Sequence, residues 1–104
     1  MEVELVVVTM AFEATEASDE RLRQLLAKYV VLARDEPGCR NIDLVASATR
    51  RNRYLLIEKW ESADAQRAHF DAGPMVELAE ACGGLLAHPP SIDLHDPISA
   101  HDLQ

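Results

Sequence analysis

Hydrophobic residues follow two different periods along the chain, and the first stretches predict a strand and then a helix. Residues Val3 to Phe12 are rich in β-branched side chains and apolar on both alternating faces, as expected for a strand that is covered on both sides. From Ser18, a suitable N-cap, apolar residues recur at helical spacing until Pro37 and Gly38 end the helix.

A β-hairpin is predicted directly after this stop, with its turn at residues 49–52. In its first strand the apolar residues share one face, which carries Ile42, Leu44, Ala46 and Ala48. In its second strand Leu55 and Ile57 share a face, and the opposite face carries Tyr54, Leu56, Glu58 and Trp60. This Glu58 row (Tyr54, Leu56, Glu58 and Trp60) combines two aromatic rings, a leucine and a carboxylate on one side of a strand.

Two further helices and a short strand complete the pattern. Ser62 is suited to cap the second helix, and its inward residues are predicted to be Ala65, Ala68, His69 and Ala72. A third helix begins at Pro74 and ends at residues 83–84, with an inner face of Met75, Leu78, Ala79 and Cys82. The last strand is predicted at Ser91–His95. We expect one domain over residues 1–96 and a polar tail over residues 97–104.

The order β-α-β-β-α-α-β predicts an α+β fold, a ferredoxin-like split βαβ with its second helix broken in two. Helices cover one face of such a sheet, and we expect the open face to carry Tyr54, Leu56 and Trp60. Because so large an apolar patch is unusual on a monomer, the sequence predicts a homodimer in which two sheets pack face to face.

Composition argues against several classes of partner. The chain has 18 acidic and 10 basic residues and a net charge of −8, which disfavours nucleic acid and anionic membrane surfaces. No stretch approaches the ~20 apolar residues of a membrane span. The N-terminus lacks the basic segment of a signal peptide, so we expect a cytoplasmic protein with Cys39 and Cys82 reduced. Cys39 is interpreted as a small buried hydrophobe rather than a reactive thiol.

Three short motifs accompany this pattern: EPGC at residues 36–39, Y-x-x-x-E-x-W at residues 54–60, and an Ala-His pair at residues 68–69 of the following helix. In this layout the chain resembles the antibiotic biosynthesis monooxygenase family, from about Val3 to about Leu94. The resemblance implies a dimeric α+β barrel in which each sheet and its own helices enclose a pocket.

The sequence shows no motif for a bound redox cofactor. It lacks a GxGxxG, a P-loop and a Cys/His cluster at metal spacing, and His88, His95 and His101 are widely spaced. An oxidoreductase of this kind would take its electrons from the substrate itself, as a deprotonated phenol or hydroquinone can supply them to dioxygen. We therefore expect a cofactor-independent monooxygenase for a small aromatic substrate, with a dry pocket, a base and hydrogen-bond donors.

Three residues are candidates for the catalytic roles. Glu58 is the expected base, His69 a second proton carrier, and Trp60 a flat wall with an indole N–H donor. The expected substrate-binding residues are Tyr54, Leu56, Met10, Phe70 and Met75. Structural interpretations remain open: Trp60 as core packing, His69 as a packed helix-end residue, and Glu58 as the ion-pair partner of Arg40 or Arg53.

Two other functions remain as alternatives: haem degradation and non-catalytic binding of a small ligand. Trp60 and His69 resemble the tryptophan and haem-ligating histidine of haem-degrading monooxygenases with this fold, which also place an asparagine on the first strand, where this chain has Met10. Some quinone-forming members carry an asparagine four residues before the tryptophan, where this chain has Leu56. The third interpretation is a non-catalytic dimeric module that binds a small apolar ligand.

Overall fold

The computed structural model describes residues 5–100, which form four strands and three helices. In chain order these are β1 (Val6–Glu13), α1 (Asp19–Arg34), β2 (Cys39–Ala46), β3 (Arg53–Trp60), α2 (Ala63–Phe70), α3 (Gly73–Ala81) and β4 (Ser91–His95). The predicted order of elements is confirmed. The expected start of the first strand at Val3 and the end of the tail, including His101, lie outside the described residues.

The strands form one antiparallel sheet in the order β2-β3-β1-β4. Its two central strands pair along their whole length, from Val6 opposite Trp60 to Glu13 opposite Arg53. This is the ferredoxin-like topology, with the helices on one face of the sheet. Among the described residues, no helix combines the length and the apolar character needed to cross a membrane.

The two faces of the central strands have very different environments. On the helix side, Leu56, Glu58 and Trp60 are 0%, 1% and 0% exposed, and Val8, Met10 and Phe12 of β1 are buried beside them. The open face (Val7, Thr9, Ala11, Leu55 and Ile57) is half-buried or exposed.

The expectation that Tyr54, Leu56 and Trp60 lie on the open face is therefore wrong. Alternation correctly divides β3 into two sides, but both sides are apolar enough to be covered. Strand periodicity does not say which side the helices will choose. Within one chain, β1 is likewise covered on only one of its two apolar sides.

The helices pack through the stripes that their spacing predicts, with local exceptions. The buried residues of α1 are Leu22, Leu26, Tyr29, Val30 and Ala33. Ser62 caps α2 as predicted, because its hydroxyl accepts a hydrogen bond from the Ala65 N–H at 3.1 Å. Ser18 holds the N-cap position of α1 without such a bond. On α2 the predicted inward Ala68 is exposed, and Gln66 is buried in its place; on α3 Ala79 is exposed.

The turn between α1 and β2 approaches α2 closely at Gly38. This glycine has a φ of +83°, and a Cβ built on it would lie 2.5 Å from the Cβ of Ala65. The Glu61 N–H donates to the Gly38 carbonyl at 2.8 Å and closes the contact. Glycine is required here both by its backbone conformation and by this approach, which brings Glu36 against α2.

Candidate functional site

A buried polar cluster (Tyr29, Glu36, Glu58, Trp60 and His69) lies between the sheet and the helices. Tyr29 comes from α1, Glu36 from the turn that follows it, Glu58 and Trp60 from β3, and His69 from α2. Tyr29 and His69 are only 2% and 3% exposed. The three catalytic candidates of the sequence are thus brought together, with two residues that the sequence did not single out.

Hydrogen bonds connect all five side chains. The Trp60 Nε1–H donates to Glu58 Oε1 at 3.0 Å, and the Tyr29 hydroxyl donates to Glu58 Oε2 at 2.5 Å. The Tyr29 oxygen lies 2.7 Å from His69 Nε2, and His69 Nδ1 lies 2.9 Å from Glu36 Oε2. Burying a carboxylate costs folding free energy unless hydrogen-bond donors satisfy its oxygens. Each oxygen of Glu58 accepts a hydrogen bond from one such donor.

Ring packing fixes the plane of the histidine. The rings of Trp60 and His69 are stacked with their centroids 4.3 Å apart and an angle of 25° between the planes. His69 Nε2 is also 3.8 Å from Glu58 Oε1. Trp60 therefore holds the histidine by stacking while it holds the carboxylate by its indole N–H.

Burial keeps the neutral acids of this region protonated. Burial, reinforced by the nearby Glu58 charge, raises the pKa of the Tyr29 phenol, so its hydroxyl remains a donor at neutral pH. Burial, with the charges of Glu58 and Glu36, also raises the pKa of Cys39 to about 11. Cys39 is therefore a thiol rather than a thiolate at neutral pH, as expected for a small hydrophobe.

An apolar cavity of about 400 Å³ borders the open face and the hairpin, but a second one lies on the helix side of the sheet. This helix-side cavity has a volume of about 340 Å³ and is lined by Phe12, Phe70, Met75, Leu78, Cys82 and Ile92, among others. It contains two of the predicted substrate-binding residues, Phe70 and Met75. Phe70 directly follows His69 in α2, and the cavity lies on the same side of the sheet as the polar cluster, although no member of the cluster is among its lining residues.

The other predicted substrate-binding residues lie elsewhere. Met10 and Leu56 are opposite one another in the sheet and sealed in the core, at 1% and 0% exposure. Tyr54 lies near the hairpin turn, where its hydroxyl donates to Asp19 at 2.6 Å. The Glu58 row thus runs from the polar cluster through the core to a separate hydrogen bond, rather than along one pocket.

Arg53, one of the two predicted ion-pair partners of Glu58, does not pair with it. Arg53 pairs with Glu13 at 3.0 Å, on the side of the sheet away from Glu58. Both oxygens of Glu58 accept hydrogen bonds from Tyr29 and Trp60 instead.

Tyr29 and Glu36 were missed although the sequence carried a signal for each. Tyr29 was counted as an apolar residue of the inner helix face, but a tyrosine on such a face needs a buried partner for its hydroxyl. Glu36 opens the EPGC motif, which marked the fold rather than the chemistry. Only the folded turn shows that this glutamate reaches His69.

His69 does not fit a haem ligand in this arrangement. Both of its ring nitrogens are hydrogen-bonded, one to Glu36 and one to Tyr29, and the ring is stacked on Trp60. Over residues 5–100, no group of three or more His, Cys, Asp or Glu side chains could hold a metal ion. His69 is therefore not free to bind a haem iron in this arrangement.

Solved structures share this fold over nearly their whole length. Rv0793 from Mycobacterium tuberculosis is 27% identical, with a TM-score of 0.87 over 92% of this chain and 97% of that one. Proteins from Nitrosomonas europaea and Caulobacter crescentus, both provisionally named antibiotic biosynthesis monooxygenases, are 15% and 21% identical, with TM-scores of 0.86 and 0.85. They cover 94% and 93% of this chain, which covers 94% and 92% of theirs. No curated protein matches the chain in sequence.

A protein-family model matches the sequence over residues 5–81, from the first strand to the end of α3. The match therefore includes every member of the buried polar cluster. The EPGC turn, the Y-x-x-x-E-x-W strand and the helix of His69 all lie within it. With this match over most of its length, the chain belongs to the antibiotic biosynthesis monooxygenase family.

Proposed function

We propose that the protein is a monooxygenase that oxidises a phenolic or quinol-type aromatic substrate with dioxygen and without a bound cofactor. Family membership and the names of the Nitrosomonas and Caulobacter relatives support an oxygenase in general terms. The proposal of an aromatic substrate is supported by the surroundings of the candidate site. An apolar cavity lined by Phe70 and Met75 lies on the same side of the sheet as a buried carboxylate, histidine and tyrosine that can exchange a proton, and Phe70 is the residue after that histidine.

The reaction balances without an external reductant. For a simple phenol, the substrate and one dioxygen give a quinone and one water. The phenol loses its hydroxyl proton to a base, and the phenolate passes one electron to dioxygen. The two radicals join in a C–O bond, and the peroxide takes the proton back. The O–O and ring C–H bonds then break to release water and leave the second carbonyl. All four electrons that dioxygen accepts come from the substrate.

The polar cluster supplies the proton chemistry in this scheme. Glu58 is sealed at 1% exposure, so the substrate proton reaches it through the cluster rather than by direct contact. Phe70 lines the cavity and is 45% exposed, and we propose that its ring moves to admit a substrate next to His69, the residue before it in α2. The apolar lining keeps water from competing for the phenolate and the peroxide.

Oxygen uptake by metal-free and flavin-free protein tests this function. We expect a panel of hydroquinones and polycyclic phenols to contain substrates that consume dioxygen, with a quinone as product. Glu58→Gln should lose most of this activity, whereas Ser47→Ala, on the distant hairpin, should keep it. No uptake with any member, together with binding of an apolar dye in the helix-side cavity, would favour the non-catalytic module. A Soret band that disappears in His69→Ala would favour haem binding.

We also propose that a second copy of the chain covers the open face of the sheet. Val7, Leu55 and Ile57 leave apolar surface there, on the two paired central strands of the sheet. A two-fold arrangement of two such sheets would cover β1 on its second apolar side. This assembly differs from the sequence expectation only in which side of β3 forms the contact.

A further inference from the structure

The buried polar cluster has one end near the surface. The side chain of Glu36 is 15% exposed, whereas those of His69 and Glu58 are 2% and 1% exposed. From Glu58 the hydrogen bonds run to the Tyr29 hydroxyl, then to His69, and then to Glu36, with no separation above 2.9 Å. A continuous chain of donors and acceptors therefore leads from a sealed carboxylate to a carboxylate that water can reach.

Counting protons shows how this chain can work. The Trp60 indole only donates, so Glu58 Oε1 is an acceptor, and the Tyr29 hydroxyl has one proton, which points to Glu58 Oε2. The Tyr29 oxygen then accepts from His69 Nε2–H. Between His69 Nδ1 and Glu36 Oε2 there must be one further proton, carried by either partner.

A second arrangement uses the same atoms. If Glu58 is protonated, it donates to the Tyr29 oxygen, and the Tyr29 hydroxyl donates to His69 Nε2, while Nδ1–H donates to Glu36. The two arrangements differ by one proton shift at each of the first two links, and at the third link as well when Glu36 carries the further proton. No heavy atom has to move, since every distance already suits a hydrogen bond in both directions.

We propose that Glu58, Tyr29, His69 and Glu36 form a proton path to solvent, in which Tyr29 is the internal link and Glu36 is the exit. The path does not depend on the substrate. It would serve any reaction in which Glu58 gains or loses a proton, so it stands apart from the proposed oxygenase activity. Tyr29 and Glu36 are positioning residues in this scheme, because they act through Glu58 and His69.

An alternative exit exists on the other side of Tyr29. Its ring borders a cleft of about 170 Å³ between α1 and α3, which is also lined by Lys28 and Glu77. Tyr29 is only 2% exposed, and its hydroxyl is already shared by Glu58 and His69. Glu36 has the greater exposure and is itself an acid–base group, which favours the exit at the turn.

Exchange of the His69 ring protons with water tests the exit. These protons can be followed by NMR in the protein without substrate, so the result is independent of any activity. We expect Glu36→Gln, which can accept a hydrogen bond but cannot carry a proton, to slow exchange at Nδ1 by at least about tenfold, a modest share of what positioned acid–base groups contribute. Glu61→Gln is the matched control, because it removes the same charge from a residue beside the same turn.

The sign of the change separates a proton carrier from a structural latch. If Glu36 only holds the turn against α2, its replacement loosens the cluster and exchange becomes faster. Tyr29→Phe should leave Nδ1 exchange near the wild-type rate, because Tyr29 lies on the far side of His69 from Glu36. Faster exchange in Glu36→Gln, or slower exchange in Tyr29→Phe alone, would overturn the proposed exit. Should Glu36→Gln fail to fold, Glu36→Asp serves instead, since its shorter carboxylate should slow exchange while keeping the charge.

Discussion

Both sides of strand β3 carry large apolar residues, but they differ in how they are covered and in the polar residues among them. The helix side carries the Glu58 row, which is buried and includes one carboxylate held by two donors. The open side carries Leu55 and Ile57, which are half-buried and have no helix above them. A charged residue thus lies on the better-covered side. Burial alone does not mark a surface that serves only for packing, since here the most buried side of the strand also holds two members of the polar cluster, Glu58 and Trp60.

Truncating neighbouring leucines on opposite sides gives the largest expected difference in stability. Leu56→Ala should cost ~2–5 kcal/mol of unfolding free energy, because it leaves a cavity in a packed core. Leu55→Ala should cost less, about 1 kcal/mol within a single chain, because no helix of its own chain packs on the open face. Urea denaturation of both variants measures the difference. Equal costs would show that the open face is covered as completely as the helix side.

Charge placed on the open face tests the proposed homodimer. Ile57→Asp should raise the dimer dissociation constant by at least ~100-fold, because the carboxylate would be buried without a partner in a sheet-to-sheet contact. Val31→Asp is the control, since Val31 is 63% exposed on α1 and away from the sheet. Sedimentation over a range of concentrations reports both. A wild-type chain that is monomeric at micromolar concentration would contradict the dimer.

Neutralising one charged residue on each side of β3 compares the proposed catalytic role of Glu58 with the surface ion pair of Arg53. Glu58→Gln should lower turnover by ~100-fold, as expected when a base is removed. It should also cost ~1–3 kcal/mol of stability, because the new amide meets a donor where the carboxylate accepted one. Arg53→Gln breaks the surface pair with Glu13 and should cost less than ~1 kcal/mol, with turnover retained.

Turnover and melting temperature of both variants decide this comparison. A destabilised Glu58→Gln with an unchanged rate would assign Glu58 to structure alone. An equal loss of rate in Arg53→Gln would show that the two sides of the strand are not separate in function.

Cys39, at the edge of the helix side, reports the local charge and gives the smallest effect. Its pKa is raised to about 11 by burial and by Glu58 and Glu36, so alkylation by iodoacetamide at pH 8 should be several-fold slower than that of an unfolded peptide thiol. Glu58→Gln should speed it modestly. Rapid alkylation of native Cys39 at neutral pH would contradict this environment.

The same pKa fixes the sign of a stability change. The unfolded thiol releases its proton near its ordinary pKa of 9.0, whereas the folded thiol holds it until about 11. The contribution of Cys39 to stability is therefore complete below pH 9.0 and is lost as the pH rises towards about 11. Melting temperatures of the wild type and Cys39→Ala across this range should converge if Cys39 is the cause.

Local patterns accounted for the elements and for three members of the cluster. The period-2 alternation of residues 53–60 placed Glu58 and Trp60 on one side of a strand, and Ser62 and the spacing of α2 placed His69 inward. These predictions succeeded because strand and helix geometry depend on neighbouring residues. The predictions that Ala68 and Ala79 face inward were wrong, because an alanine is small enough to suit an exposed position as well as a buried one.

By itself, the sequence determined the order of strands and helices and the family to which the chain belongs. The tertiary structure alone decided which side of β3 the helices cover, and hence which residues are sealed. It also decided two hydrogen bonds between distant residues. Tyr29 bonds to Glu58, 29 residues away in sequence, and Glu36 bonds to His69, 33 residues away. Periodicity reports the direction of a side chain relative to its own backbone. A hydrogen bond across such separations depends on how whole elements pack, and here on the approach of Gly38 to α2.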